Sequence, residues 1–380
     1  MDNQQKRKVK TSCEFFPLDR PCPLQKHSGQ SCDSCIKYRD ISGTGITFNI
    51  LIVKLGAMGD VLRTTFLLEG LKELYPKSKI HWICAPQNTA VLVGNKYIDS
   101  IINFDAKTCQ YLVTNYFDLV INLDLSPESL ALATLAMAEQ KAGYYLDSKR
   151  NIISSNSWAS QWLSMSAYDD IKKANTHTYQ YWMSKITGLL KDSYEIIAPL
   201  AETSVLKAQN FAKENNIDLN GAKIIGINPG AGKRWVRKKW LTSGFIETAK
   251  FFAASGHKIL LLGGAEDKES IDEILNAGIE GVYSTGTDNS VADFFAMLNL
   301  CSVVLSGDTM AMHAALGLKK NVVAIFGPTS AAEIELYGRG TKIVSPKPCA
   351  CCYKSDCFVK PTCMHEITSL EVIEAVKKYL

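Results

Sequence analysis

The segment that most constrains the fold is SVVLSGDTMAMHAALGLKKNVVAIFG, residues 302–327. Val303, Val304 and Leu305 form an apolar run closed by Ser306-Gly307, the composition of a strand buried on both faces. Asp308-Thr309 follows, an Ala-rich helical stretch carries Met312, His313, Ala315 and Leu316 as far as Gly317, and Val322 to Phe326 supply the next strand. A strand, a helix and a second strand in this order make a crossover between parallel neighbours. The polar cluster therefore falls where a strand hands over to a helix, at the carboxyl edge of the sheet, where open α/β sheets bind ligands. Amides of the helix's first turn attract anions, Asp308 and Thr309 offer hydrogen-bonding oxygens, and His313, four residues after Thr309, faces the same crevice. The plain alternative is that Asp308 and Thr309 only cap the helix and His313 is an ordinary neighbour in it.

At 380 residues the chain is too long for one ordinary core and fits two domains. A hydrophobic content of 46% with 21% charged residues is that of a soluble globular protein. The opening MDNQQKRKVKTSCEFF is basic but lacks the apolar centre of a signal peptide. No apolar run approaches the ~18 residues of a membrane span, so a cytoplasmic location is expected. A net charge of +4 is too mild to argue for nucleic acid, and no nucleic-acid partner is expected.

Residues 1–45 contain Cys, Pro and Gly without a sustained period and form a Cys-rich N-terminal extension, joined through Ser42-Gly43-Thr44-Gly45 to a first domain over 46–200. There Ile50 to Val53 form a buried strand and Gly56 to Asp60 a tight turn. Val61, Leu62, Thr65, Leu68, Leu71 and Leu74 then recur at helical spacing until Pro76. KIHWICA, SIINFD and FDLVINLD continue the alternation, the pattern of a doubly wound parallel sheet. From Gly143 to about Leu200 the pattern loosens; Trp158, Trp162, Tyr168, Tyr179 and Trp182 are read as core and domain-contact residues ahead of a ligand stack. The second domain, 201–365, has strands AKIIGIN, HKILLLGG, GVYS, SVVLSG and NVVAIFG, with helices near 204–214, 243–255, 267–277 and 291–299. Residues 366–380 form a terminal amphipathic helix with Leu370, Ile373, Val376 and Leu380 on one face. Two α/β halves, each with polar turns at a sheet edge, imply a cleft between them.

Three more turns point at that cleft. Gly59-Asp60 is read as capping the first helix, presenting a carboxylate at a helix N-terminus where negative charge is stabilised. In Asn228-Pro229-Gly230-Ala231-Gly232-Lys233-Arg234-Trp235, a glycine turn lets amides approach a phosphate while Lys233 or Arg234 supplies a cation. In Gly263-Gly264-Ala265-Glu266-Asp267, an acidic side chain accepts hydrogen bonds from a ribose. None is a Walker A loop or a G-x-G-x-x-G fingerprint, which argues against a P-loop ATPase and a dinucleotide oxidoreductase. The basic run Arg234, Arg237, Lys238 and Lys239 suits an anionic acceptor or, equally, a solvated helix entry.

The twelve cysteines crowd the two ends. Cys13, Cys22, Cys32 and Cys35 form one group, and Cys349, Cys352, Cys357 and Cys363, with Cys351, the other. In a reducing compartment such groups point to a structural Zn or Fe, with free thiols as the alternative and a single shared site as a third arrangement.

KLGAMGD, NPGAGKRW, LLGGAED and SGDTMAMHAALGL followed by VVAIFGPT together resemble family 9 glycosyltransferases, the ADP-heptose:lipopolysaccharide heptosyltransferases and their relatives, from about residue 48 to the C-terminus. The resemblance implies a GT-B architecture: two Rossmann-like domains facing a cleft, acceptor on the first and nucleotide-sugar on the second. It implies inverting transfer of heptose from ADP-heptose to a sugar hydroxyl of the lipopolysaccharide core, without a catalytic metal, by an enzyme peripheral to the inner face of the inner membrane. Carried over by position, Asp60 matches the general base, Lys233 the lysine facing the donor diphosphate, Glu266 the ribose-binding acid, and Asp308, Thr309 and His313 the donor motif. Gly59, Gly230 and Arg234 fall beside these as phosphate or acceptor contacts. Met310 departs from the usual glycine, where a bulky side chain would reshape the donor pocket. Three other readings stay open: the same transfer to a protein acceptor, as in relatives linked to a Cys-bound iron; a nucleotide-sugar epimerase on the GT-B fold; and a non-catalytic metal-binding assembly protein.

Overall fold

The computed structural model describes residues 9–11, 13, 15, 16, 20–38, 48–221, 223–354 and 356–380, with backbone alone at 233–235. It divides into a small unit, Met1–Phe48, and a large one, Asn49–Leu380. The small unit contains one short helix, Pro23–Ser28, with no buried residue, closed by Gly29 in the left-handed conformation. The joint expected at residues 42–45 lies outside the described residues.

The large unit is built on two six-stranded sheets. The first comprises β1 (Asn49–Val53), β2 (Lys79–Cys84), β3 (Ser100–Asn103), β4 (Tyr116–Asn122), β5 (Met137–Leu146) and β6 (Ile152–Ser154), in the order β3-β2-β1-β4-β5-β6. The second comprises β7 (Ile224–Asn228), β8 (Lys258–Leu261), β9 (Val282–Ser284), β10 (Val303–Gly307), β11 (Asn321–Phe326) and β12 (Gly340–Val344), in the order β12-β11-β10-β7-β8-β9. Every pairing is parallel except β5 with β6. Read from β9, the second sheet repeats the order of the first, so the winding reverses between β1 and β4 and again between β7 and β10. At such switch points the turns at the carboxyl ends diverge and leave a crevice. KLGAMGD follows β1, NPGAGKRW follows β7 and GDT closes β10.

The central strands carry unbroken apolar runs because helices cover both faces. Ile50, Leu51, Ile52 and Val53 in β1, and Val303, Val304 and Leu305 in β10, have no exposed surface. Each such side chain contributes about 1.5–3 kcal/mol by burial. β5, β6 and β12 lack that signature because little of them is buried, which is why they escape a reading of apolar runs: β5 buries only Gly143 and Tyr144, β12 only Ile343, and β6 no residue.

Two local expectations are corrected. The helix expected to run to Pro76 breaks into Met58–Thr64 and Leu67–Leu74. At the break, the Thr65 hydroxyl donates to the Leu62 carbonyl at 2.7 Å and accepts from the Ile197 amide at 2.9 Å, so a side chain competes for the helix's own carbonyl. In the terminal helix Ser369–Lys377 the buried face is Val372, Ile373, Ala375 and Val376, while Leu370 is exposed. Trp158, Trp162, Tyr179 and Trp182 form an edge-to-face cluster with centroids 5.8–6.2 Å apart, a packing role. Tyr168 stays exposed outside that cluster.

Candidate active site

The turn after β1 is set by groups from its neighbours. The Asp124 carboxylate, just beyond β4, accepts from the amides of Leu55 at 2.8 Å and Gly56 at 3.0 Å and pairs with the Lys54 ammonium. Asn88 donates to the carbonyls of Leu55, at 2.9 Å, and Gly56. Lys54 and Asp124 expose only 6% and 13% of their side chains. Burial is the largest influence and works against the Lys54 ammonium, but Asp124, Tyr179 and Asp60 together outweigh it and keep the charge in place.

This braced turn delivers Asp60 into the first turn of Met58–Thr64. Ala57 occupies the cap position, so the capping role expected of Gly59-Asp60 is corrected; the Asp60 carboxylate instead pairs with Arg63, one turn on, at 3.0 Å. The Arg63 guanidinium lies 4.0 Å over the ring of Tyr179, whose hydroxyl is 2.8 Å from Thr64 Oγ1. Burial pushes the Asp60 carboxyl up, but the Arg63 guanidinium first, then the Lys54 and Lys238 ammonium groups, hold it below the ordinary range, so it is ionised at neutral pH.

His313, Arg63, Asp308 and Lys238 thus act on one another through the same space. Met58–Thr64 meets Met310–Gly317 directly: a Cβ built on Gly59 would lie 3.3 Å from His313 Cδ2 and 3.4 Å from Met310 Cα. The absence of a side chain at Gly59 is what lets the two helices come this close. His313 is buried, no group among the described residues bonds its Nδ1, and burial followed by Arg63 pushes its pKa down to about 4. Its imidazole is neutral at physiological pH.

On the second sheet, Asn228 at the end of β7 binds the end of β10. Its Oδ1 accepts from Thr309 Oγ1 at 3.1 Å, Ser306 Oγ lies 2.9 Å from Thr309 Oγ1, and its Nδ2 donates to the Leu262 carbonyl at 2.8 Å. Thr309 occupies the cap position of Met310–Gly317, yet its side chain makes no capping bond. Asp308 does not cap either; it pairs with Lys238 at 2.8 Å, both largely buried. Burial raises the Asp308 carboxyl, and Lys238 leads the charges that bring it below its usual value.

The side chains of Lys233 and Arg234 lie outside the described residues. Gly230 packs so tightly on the Asp267 carboxylate that any side chain there would overlap it, and Asp267 also accepts from the Gly264 amide at 3.0 Å. Glu266 is exposed and faces Gly232. Sequence reading missed Lys54, Arg63, Asp124 and Asn228, and treated Lys238 as one of a basic run. The available signals were Arg63 three residues after Asp60 and a lone Lys ending an otherwise apolar strand.

Both cysteine groups contain only free thiols. Among the described residues no three His, Cys, Asp or Glu side chains are gathered closely enough to hold an ion, so the metal assignments to Cys13, Cys22, Cys32, Cys35, Cys349, Cys352, Cys357 and Cys363 do not correspond to a formed site. In the C-terminal group burial, then Cys352, Cys349 and Cys357, push the Cys363 thiol up, so these four lie near one another; Cys363 also packs on the backbone of Gly327, and Cys357 faces the Val359 carbonyl at 3.6 Å.

Residues 106–363, well over half of the chain, match Glycosyltransferase family 9 (heptosyltransferase). Lipooligosaccharide heptosyltransferase 2 of Campylobacter jejuni is 29% identical over 217 residues, covering 54% of this chain and 66% of that protein. The chain thus spans slightly less than two thirds of that relative's length. Among solved structures, the family 9 glycosyl transferase of Veillonella parvula has a TM-score of 0.68 at 19% identity, covering 88% of this chain and 98% of that one. The ADP-heptose lps heptosyltransferase II of Escherichia coli has a TM-score of 0.63 at 17% identity, covering 87% and 98%. These two likenesses establish the GT-B fold of two facing Rossmann-like domains. With that fold, and with a family match across most of its length, the chain belongs to glycosyltransferase family 9.

Proposed function

We propose that this glycosyltransferase moves a heptosyl group from ADP-heptose to a hydroxyl of a lipopolysaccharide core sugar, with inversion at the anomeric carbon and Asp60 as general base. The observation that carries the reading is the packing of Met58–Thr64 against Met310–Gly317, which sets an ionised carboxylate beside a helix N-terminus suited to a diphosphate. The likeness to a lipooligosaccharide heptosyltransferase and to an ADP-heptose lps heptosyltransferase supplies the donor and acceptor classes.

In this reading the acceptor oxygen attacks the anomeric carbon on the face opposite the diphosphate. Its proton passes to Asp60, and the bond to the diphosphate oxygen breaks with its electron pair leaving on ADP. Arg63 orients Asp60. The first-turn amides of Met310–Gly317 stabilise the charge developing on the diphosphate, assisted by Lys233 as the family motif assigns it. Lys238 neutralises Asp308, which would otherwise repel that anion. Neutral His313 is a hydrogen-bonding group here, and Glu266 takes the ribose. Among the described residues no helix is long and apolar enough to cross a membrane; a cytoplasmic site of action, peripheral to the inner membrane where such an acceptor is made, accords with the proposal.

The test is release of ADP from ADP-heptose by the purified chain, with and without a heptose-deficient lipopolysaccharide core. Acceptor-dependent release with a matching mass gain on the acceptor is expected. Acceptor-independent consumption of the donor, or none, would refute the assignment.

A further inference from the structure

The loop between β11 and β12 carries a carboxylate that neither the family motifs nor the mechanism above uses. The Glu333 carbonyl accepts from the Tyr179 amide at 2.9 Å, which ties this loop to the helix whose aromatic ring underlies Arg63. Its carboxylate accepts one hydrogen bond among the described residues, from the Tyr353 hydroxyl at 3.3 Å. That hydroxyl in turn accepts from the Ser330 amide at 3.1 Å, and Lys172 lies 4.3 Å over the Tyr353 ring. The Arg63 guanidinium feels Asp60 first among the carboxylates and then Glu333 and Asp308, so Glu333 shares the cation that orients the proposed base. Burial raises the Glu333 carboxyl and Arg63 opposes that rise.

A carboxylate offers about four lone-pair sites, and the long bond from Tyr353 occupies one of them. Such a group repels a diphosphate but pairs well with adjacent hydroxyls, whose protons it accepts in hydrogen bonds stronger than neutral ones. An amide-lined helix end for the anion and a spare carboxylate near the base separate the two halves of a nucleotide-sugar by chemistry. We infer that Glu333 is a specificity-determining residue that hydrogen-bonds sugar hydroxyls in the cleft, held in place by Tyr353. This rests on the transferase reading above; the shared chemistry is a sugar hydroxyl, which either the donor or the acceptor can present.

The full chain is compared with Glu333→Gln and Glu333→Ala, by calorimetric binding of ADP and of ADP-heptose and by turnover against acceptor concentration. For a donor contact, ADP binds all three proteins within about twofold, while the advantage of ADP-heptose over ADP falls about tenfold in Glu333→Ala and less in Glu333→Gln. For an acceptor contact, both binding constants hold and the acceptor KM rises about tenfold. Unchanged sugar preference and unchanged KM overturn the inference. So does an equal weakening of ADP and ADP-heptose. Glu333→Gln keeps the side chain's shape, and its thermal melt separates lost recognition from lost fold. A wild-type protein that binds ADP-heptose selectively but glycosylates nothing sinks the transferase reading alone, and the binding comparison still decides the role of Glu333.

Discussion

Replacing Gly59 with alanine puts a methyl group where two helices from different sheets meet. That carbon would sit 3.3 Å from His313 Cδ2, 3.4 Å from Met310 Cα and 3.5 Å from the Met310 nitrogen. Carbon atoms in comfortable contact rest at about 3.5–4.0 Å, so the helices must part by a few tenths of an ångström. Two of the three neighbours are backbone atoms with no rotamer to yield. Overpacking of this kind costs about 1–3 kcal/mol, and alanine returns up to about 1 kcal/mol through helix propensity. The net loss of stability is therefore about 0–3 kcal/mol, readable as a shift in the urea midpoint. Catalysis has less slack: misplacement by about 1 Å costs on the order of a hundredfold, so the smaller displacement predicts a drop in kcat/KM of roughly 5- to 20-fold. A folded Gly59→Ala enzyme within twofold of wild-type turnover would refute the claim that this contact sets the geometry of the site.

Two further substitutions probe the surroundings. Asp124→Asn leaves the Lys54 ammonium buried beside a neutral group and should cost roughly 3–5 kcal/mol in urea unfolding; a loss below about 1 kcal/mol would show that the pair does not brace the turn after β1. Asp60 is held below its ordinary range, so its ionised form is present above its own pKa and lost as pH falls through it. Arg63→Ala removes the strongest of the charges lowering it, so the acid limb of kcat/KM should move to higher pH, with Arg63→Lys keeping most of the wild-type profile; an unmoved limb would take Arg63 out of that role.

The fold was legible where burial on both faces leaves no polar alternation. β1, β4, β7, β10 and β11 announce themselves as apolar runs, and the motif turns sit at their carboxyl ends. β5, β6 and β12 were not legible because most of their side chains are only partly buried or exposed, so no apolar run marks them. Asp60 and Asp308 stood out because each follows a glycine, and His313 because it lies one helical turn after Thr309. Their partners were not: that Lys238 pairs with Asp308, seventy positions away, or that Asp124 braces Leu55 and Gly56, depends on which strands are neighbours across the switch points. Of the cysteine groups, the C-terminal one brings Cys349, Cys352 and Cys357 close enough to Cys363 to raise its thiol pKa, although no ion site is formed among the described residues.

The central claim is that Asp60 takes the proton from the acceptor hydroxyl, and single-turnover transfer by Asp60→Asn tests it most directly. That change keeps the side chain's shape but removes its basicity and its ion pair with Arg63. A loss of on the order of 10²- to 10⁴-fold in the transfer step is predicted, with ADP-heptose affinity within about threefold of wild type. Transfer at near the wild-type rate would contradict the account and move the base to another residue.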